Sequence, residues 1–303
     1  MWQRLRAQCS SLKMAFQQRV PNCSFLGREI DLKRLKRLCF SAYAGLSSSS
    51  KDLWNETLKC QRATYKQFVH EVIIEQCKGT KSGKNSEEFD VDHFSSARKI
   101  VPEEYFVLGD EQEAHWEGMN EIIGPLYYVF CSDPRTEWQE NVEADAFFCF
   151  TNLMSEIRDN FIKSLDDSAC GIGNMMKNVR TLLKERDPLL FAYLEEQQMR
   201  PQFYSFRWLT LLLSQEFALP DVIRVWDSLF ADESRFDFLI YICCAMHMVI
   251  REQLLAGDFA TTMKLLQNYP YMDISTILSK AIELKRPRLV APNPPQKKKH
   301  KKR

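Results

Sequence analysis

The feature that most constrains the fold is a pair of amphipathic patterns on either side of one proline in residues 205–230. In the first pattern, apolar residues recur at three- and four-residue steps, at Phe206, Leu209, Leu213 and Phe217. In the second, they recur with the spacing that stacks side chains on one helix face, at Val222, Val225, Trp226, Leu229 and Phe230. Pro220 suits the first turn of a helix. The segment predicts a helical hairpin with helices over 205–217 and 221–230.

Helical periodicity continues along most of the chain, and alternating strand patterns are almost absent. We predict further helices over residues 28–43, 51–76, 115–130, 142–165, 175–198, 236–255, 258–268 and 274–284. Gly257 is the expected end of one helix, and Asp273 is the expected N-cap of the last. The apolar run 238–250 is too short to span a bilayer and favours a core helix. The expected fold class is all-α.

Charge is unevenly distributed, although the formal net charge is only +1. Residues 1–38 carry a net charge of +7, residues 285–303 carry +9, and the body between them carries −15. An acidic body repels nucleic acid, so we expect no specific nucleic-acid partner. The basic ends suit anionic lipid and predict peripheral membrane contact. The tail also leaves a nuclear location open beside a cytoplasmic one.

Composition divides the chain into five segments. We expect residues 1–27 to be a basic leader and residues 28–76 to form the N-terminal helices. Residues 77–114 are polar and predict a loop or linker. Residues 115–284 predict the main helical domain, and residues 285–303 predict a disordered basic tail.

The leader carries a helical stripe of apolar residues, at Trp2, Leu5, Cys9, Leu12 and Phe16. We favour an ordinary basic leader or a frayed first helix. A mitochondrial transit peptide or a membrane-surface helix stays open as the alternative.

The polar residues give no sign of catalytic or metal chemistry in the chain itself. The ten cysteines show no paired spacing, which favours reduced thiols and predicts no metal site. Residues 170–173 contain two glycines but lack the lysine of a phosphate-binding loop. His247 lies in an apolar helical pattern and is expected to be a core histidine. We therefore expect no enzyme activity and no cofactor of its own.

Several stretches resemble the sequence motifs of one protein family and occur in the same order. They are GMNEIIGPLYYVF from Gly118, EADAFFCFTNLMSEIRDNF from Glu143, and SFRWLTLLLSQEFALPDVIRVWDSLFAD from Ser205. Together they resemble the TBC domain, the family of GTPase-activating proteins for Rab GTPases. The resemblance implies a multi-helix fold, a Rab-family partner, and a role in vesicle trafficking at endomembranes. It also implies that Mg²⁺ and GTP belong to the partner GTPase.

The resemblance implies two catalytic residues upstream of the hairpin. One is an arginine from the motif I-x-x-D-x-x-R, which stabilises transition-state charge and accelerates hydrolysis by roughly 10³–10⁵-fold. Three isoleucines before the signature have Lys33, Gln76 and Glu103, and not aspartate, three residues later. Arg98 has Ser95 where the motif has aspartate. We interpret Arg98 as a solvated loop residue and find no arginine finger.

The second catalytic residue is a glutamine from Y-x-Q-G-M-N, which orients the attacking water. This chain has His115-Trp116-Glu117 before Gly118-Met119-Asn120. The carboxylate of Glu117 repels a γ-phosphate and lacks the N–H donors of an amide. We therefore predict impaired catalysis.

The string HWEGMN looks like two separated family segments joined by a deletion. We interpret the chain as a shortened or spliced form, with a truncated N-terminal lobe and a largely complete C-terminal lobe.

Arg207, Trp208, Trp226 and Asp227 are the candidate partner-binding residues. We favour a structural interpretation, in which the tryptophans are buried and Arg207 and Asp227 bridge the two helices. The alternative is a contact surface for the GTPase.

Three hypotheses stay open. The chain is a catalytic Rab GTPase-activating protein, a non-catalytic Rab-binding module, or a chain that folds poorly and has no activity. For this chain we favour the second and third over catalysis.

Overall fold

The computed structural model describes four stretches of the chain, residues 32–43, 51–70, 113–161 and 171–286. Within them the chain forms helices and turns and no strand, which confirms the all-α prediction. The predicted leader, the basic tail from residue 287, and Arg98 lie outside the described residues.

Thirteen α-helices lie within the described residues. They are α1 (Leu32–Tyr43), α2 (Lys51–Val69), α3 (Glu113–Cys131), α4 (Thr136–Gln139), α5 (Val142–Ile157), α6 (Ile172–Arg186), α7 (Pro188–Glu196), α8 (Ser205–Thr210), α9 (Leu219–Phe230), α10 (Arg235–Val249), α11 (Arg251–Ala256), α12 (Phe259–Gln267) and α13 (Ile274–Lys285). Two 3₁₀ turns lie at Arg158–Phe161 and Pro201–Phe203.

One hydrophobic core joins these helices. Helix α10 packs against α6, α9 and α13, while α5 packs against α1, α2 and α3. The run 238–250, expected to be a core helix, falls mainly in α10, whose buried residues include Leu239, Ile242 and Met246. None of the described helices is both long enough and apolar enough to cross a bilayer.

A buried cluster of charged and aromatic side chains ties α1 and α2 to the rest of the domain. The Lys36 ammonium lies 3.0 Å from an oxygen of Asp133 and 4.0 Å from the ring centroid of Trp138. The Arg62 guanidinium donates to both carboxylate oxygens of Asp145, at 2.8 and 2.7 Å. Burial lowers the pKa of Lys36 and raises the pKa of Asp145, although Arg62 opposes the second effect. We call these residues the Trp138 cluster.

The predicted helix 175–198 is wrong in one respect, because the structure has two helices there. Helix α6 ends at Arg186, and α7 begins at Pro188. The Asp187 side chain caps α7 by accepting from the Leu190 amide at 3.0 Å. Proline has no amide hydrogen, so it fits the first turn of a new helix better than the interior of a continuous one.

The predicted helix 205–217 also needs correction, because α8 ends at Thr210. The chain then turns, and Leu212 and Leu213 adopt left-handed backbone angles with φ of 50° and 64°. The Leu213 amide donates to the Trp208 carbonyl at 2.9 Å, as in a helix-ending motif that usually uses glycine. Leu211, Leu212 and Leu213 are all buried. A continuous helix would point three successive side chains in different directions, so burial of all three favours the turn.

The predicted helix 236–255 is likewise divided, since α10 ends at Val249 and α11 begins at Arg251. The predicted helix-end residues, Gly257 and Asp273, are confirmed. Gly257 follows α11, and the Asp273 side chain caps α13 by accepting from the Ser275 amide at 2.9 Å.

Candidate functional site

A polar groove lies where α3, the turn after α8, and the end of α12 meet. It encloses about 550 Å³, and its lining side chains are mostly polar: Glu121, Arg207, Gln215, Glu216, Gln267, Asn268 and Tyr269. We call it the Glu121 groove. Its walls come from three segments far apart in sequence, which the fold brings together.

An ion pair between Arg207 and Glu216 forms one wall of this groove. The guanidinium donates to both carboxylate oxygens of Glu216, at 2.6 and 2.9 Å, and to the Gln267 carbonyl at 2.6 Å. The Glu216 side chain is only 1% exposed. Burial raises its pKa, and the hydrogen bonds from Arg207 oppose that effect. Because α8 ends at Thr210, the chain folds back and brings Glu216 beside Arg207.

Helix α3 contributes Glu121 to the groove and contains a proline one turn later. Pro125 lies inside α3 and has no amide hydrogen to donate to the Glu121 carbonyl one turn earlier. That carbonyl therefore lacks its usual helical donor. The groove combines carboxylates, amide side chains and the Arg207 guanidinium, which suits hydrogen-bonded recognition of a polar surface.

Glu117, which stands where the family motif has glutamine, lies on the same helix. Residues Glu117, Gly118, Met119 and Asn120 form backbone turns of α3 directly before Glu121. At 1.5 Å rise per residue, Glu117 lies about 6 Å along the helix axis from Glu121. The side chains of residues 117–120 lie outside the described part of the structure.

The predicted bridge between Arg207 and Asp227 is wrong. Arg207 pairs with Glu216, whereas Asp227 lies 3.3 Å from Arg34 and 3.4 Å from Arg224. The bridge fails because the left-handed turn redirects the chain after α8, so Arg207 faces α12 rather than α9.

The tryptophans are core residues, as the structural interpretation predicted. Trp208 and Trp226 are both 0% exposed, so neither indole can touch a partner. Trp226 donates to the Leu212 carbonyl at 2.9 Å. Of the four candidate residues, Arg207 is the most exposed to solvent, with 40% of its side chain accessible.

His247 is confirmed as a core residue and has no solvent-facing role. It is 1% exposed, packs against the rings of Tyr204 and Trp208, and its Nδ1 lies 2.8 Å from the Cys243 carbonyl. Burial lowers its pKa to about 4. The imidazole is therefore neutral at physiological pH.

The described part of the chain contains no group of three potential metal ligands. Its cysteines are all free thiols. Burial raises the pKa of Cys39 and of Cys244 to about 12, which keeps both protonated and unreactive.

Sequence reasoning missed most of the Glu121 groove. Glu216 stands in the signature that was recognised, but it is nine residues from Arg207, a spacing that does not place two residues on one helix face. Gln267 and Asn268 end a separate helix and match no motif. The break after Thr210 was the missing information, since it alone explains why these groups meet.

Comparisons with known proteins agree with this architecture. A family model described as the Rab-GTPase-TBC domain matches residues 110–255. TBC1 domain family member 13 from Homo sapiens is 60% identical over 201 residues, which cover 60% of this chain and 50% of that protein. The GTPase-activating protein gyp1 from Schizosaccharomyces pombe is 30% identical over 176 residues, which cover 53% of this chain and 34% of that protein.

The solved structure of the Ypt/Rab-GAP domain of Gyp1p superposes with a TM-score of 0.58 and 21% identity, covering 88% of this chain and 98% of that one. This likeness establishes the helical fold. The chain spans about half the length of the first curated relatives it matches. The region matched by the family model includes α3 and the whole hairpin around Arg207.

Proposed function

This chain carries a domain of the TBC family, and from that premise we propose that it binds a Rab-family GTPase and regulates GTP hydrolysis on it. The observation that carries the proposal is the placement of the Glu117–Asn120 segment, one helical turn before the Glu121 groove. A surface with these polar groups can bind the GTPase beside its nucleotide. Mg²⁺ and GTP would be held by the partner.

We further propose that catalysis by this chain is impaired. Phosphoryl transfer gains most of its acceleration from positive charge and from a positioned water. Glu117 stands where the family motif has glutamine, and no arginine stands in the family's arginine motif. A carboxylate facing the γ-phosphate raises the barrier rather than lowering it, because like charges approach in a poorly solvated site.

Single-turnover GTP hydrolysis over a panel of Rab proteins tests impairment. We expect acceleration below about tenfold, far less than the roughly 10³–10⁵-fold of a complete arginine-finger site. Acceleration above tenfold for any Rab would overturn the claim. Glu117→Gln removes the repelling charge, so we expect it to bind Rab·GDP·aluminium fluoride more tightly than the native chain.

Binding is measured separately, with Rab loaded with a non-hydrolysable GTP analogue. Glu121→Arg reverses a charge in the groove, and Glu196→Arg makes the same change at an exposed site on α7 as the matched control. We expect about tenfold weaker binding for Glu121→Arg, the loss that a difference of 1.4 kcal/mol produces. Equal effects of the two variants would show that Rab does not contact the groove.

A non-catalytic Rab-binding module is the second candidate, favoured by the carboxylate at position 117. Binding without acceleration supports it. Poor folding is the third, and a thermal melt decides it: a single cooperative transition contradicts poor folding, and its absence supports it.

We propose a cytoplasmic location at endomembranes, in vesicle trafficking, with peripheral contact through the basic ends. The supporting observation is the concentration of positive charge in residues 1–38 and 285–303. Microscopy of the full chain and of a form lacking residues 296–303 tests the nuclear alternative. Loss of a nuclear signal on deletion would support that alternative, and an unchanged membrane pattern would contradict it.

A further inference from the structure

A second recess lies between α6, α7 and the 3₁₀ turn Pro201–Phe203. It encloses about 400 Å³ and is lined by Gly173, Met176, Lys177, Arg180, Thr181, Lys184, Phe191, Pro201 and Gln202. None of these residues lines the Glu121 groove. We call it the α6 groove.

One wall of the α6 groove is basic. Lys177, Arg180 and Lys184 are separated by three and four residues on α6, so they lie on one helix face. Arg180 is paired with Glu195 on α7. Lys177 and Lys184 are exposed, and neither forms an ion pair with a carboxylate in the described part of the chain. Two ammonium groups therefore remain available to an outside anion.

The floor of the groove is apolar. Met176 and Pro201 are buried at its base. The ring of Phe191 is partly exposed, with the Arg180 guanidinium and the Lys184 ammonium each 5.7 Å from its centroid. Phe203, next to the lining residue Gln202, is 49% exposed. A ligand that fits must present an apolar group to this floor as well as negative charge to the wall.

The electrostatic setting strengthens the case for an acidic ligand. Residues 39–284 carry a net charge of −15, so a basic recess stands out on an acidic body. Such a recess attracts an anionic segment locally, while the surrounding charge disfavours a broad anionic surface. We favour an extended peptide over a lipid bilayer, because a flat surface matches a concave recess less well than a single chain does.

We propose that the α6 groove binds a short acidic peptide segment of a partner protein, with one apolar side chain seated on Phe191. The acidic residues pair with Lys177 and Lys184, and the apolar anchor displaces water from the floor. Rab binding at the Glu121 groove uses different residues, so the two partners can be held together. The site would then recruit the chain to a protein that displays such a segment.

The test uses the full chain and a fluorescently labelled synthetic peptide of alternating Glu and Ser with one central Leu. The double variant Lys177→Glu/Lys184→Glu reverses the charge of the basic wall. The control, Lys59→Glu/Lys264→Glu, makes the same charge change at exposed lysines elsewhere. The basic ends are identical in both variants, so their contribution cancels. By fluorescence anisotropy near physiological salt we expect at least about tenfold weaker binding for the first variant and little change for the second.

Two further peptides separate the possible outcomes. Replacing Glu with Gln, or the central Leu with Ser, is expected to weaken binding to the native chain several-fold. Equal loss in both lysine variants, or no dependence on the Leu, would overturn the proposal. So would vesicles with phosphatidylserine that bind through Lys177 and Lys184 when the peptide does not. Thermal melts of both variants check that each is folded, and Lys177→Gln/Lys184→Gln serves if charge reversal prevents folding.

Discussion

The Arg62–Asp145 ion pair gives the sharpest prediction about how the N-terminal helices are held to the domain. The Asp145 side chain is 2% exposed and that of Arg62 is 13% exposed, so both charges are largely removed from water. Arg62→Met keeps most of the aliphatic stem but leaves the carboxylate of Asp145 unpaired. Removing one partner of a buried pair costs about 3–5 kcal/mol. For a domain of this size, that corresponds to a melting-temperature drop of about 6–20 °C.

The pH dependence of this loss follows from the pKa of Asp145. Burial raises that pKa, and loss of Arg62 removes the main opposing influence. An acid whose pKa is raised on folding destabilises the protein above that pKa, where the folded state must hold the charge. The penalty disappears as the pH falls through the raised pKa and the carboxyl group is protonated. We expect the Arg62→Met defect to be largest at neutral pH and smaller at acidic pH, because the raised pKa of Asp145 lets its carboxyl group become protonated there.

Urea unfolding followed by circular dichroism at the two pH values measures the effect. Lys66→Met, on the exposed side of the same helix, is the matched control and is expected to change stability by less than about 0.5 kcal/mol. Arg62→Met/Asp145→Asn removes the stranded charge and is expected to recover much of the loss. A cost below about 1 kcal/mol for Arg62→Met, or an equal cost at both pH values, would refute the reasoning.

Two substitutions and one labelling experiment test the core and a helix cap. Trp226→Phe removes the donor to the buried Leu212 carbonyl and part of the core, so we expect a loss of about 2–4 kcal/mol in urea unfolding; a loss under 1 kcal/mol would contradict this. Asp273→Ala removes the cap of α13 and is expected to cost about 1 kcal/mol by thermal melting, whereas no change would show that water replaces the cap. Iodoacetamide labelling followed by mass spectrometry is expected to modify the exposed Cys60 in the native protein and Cys244 only after unfolding, because burial raises the pKa of Cys244 to about 12; early labelling of Cys244 would indicate that its helix opens.

The sequence predicts a helix correctly wherever the residues that determine it are close together in the chain. The apolar spacing of residues 221–230 and the capping aspartate at 273 each act within one or two turns, and both match the structure. The division at Asp187-Pro188 was also readable, since a proline after a capping residue marks a helix start. Sequence periodicity had masked it, because apolar residues continue across the break.

The turn after α8 carried no such local sign. Leucine disfavours left-handed backbone angles, so Leu212 and Leu213 read as ordinary helix residues. Tertiary burial of both side chains overrides that preference. The Glu121 groove depends on this turn, and for that reason it lay beyond any argument from spacing.

The left-handed pair Leu212-Leu213 also limits how this segment can vary. A β-branched residue at either position would be strained at these backbone angles, while glycine would relax the backbone and leave an empty space at a site that is now 0% exposed. Apolar side chains that are not branched at Cβ, such as leucine, fill this space with less strain than β-branched ones. The backbone geometry therefore limits which substitutions the hairpin tolerates, and the turn keeps Arg207 and Glu216 within reach of each other.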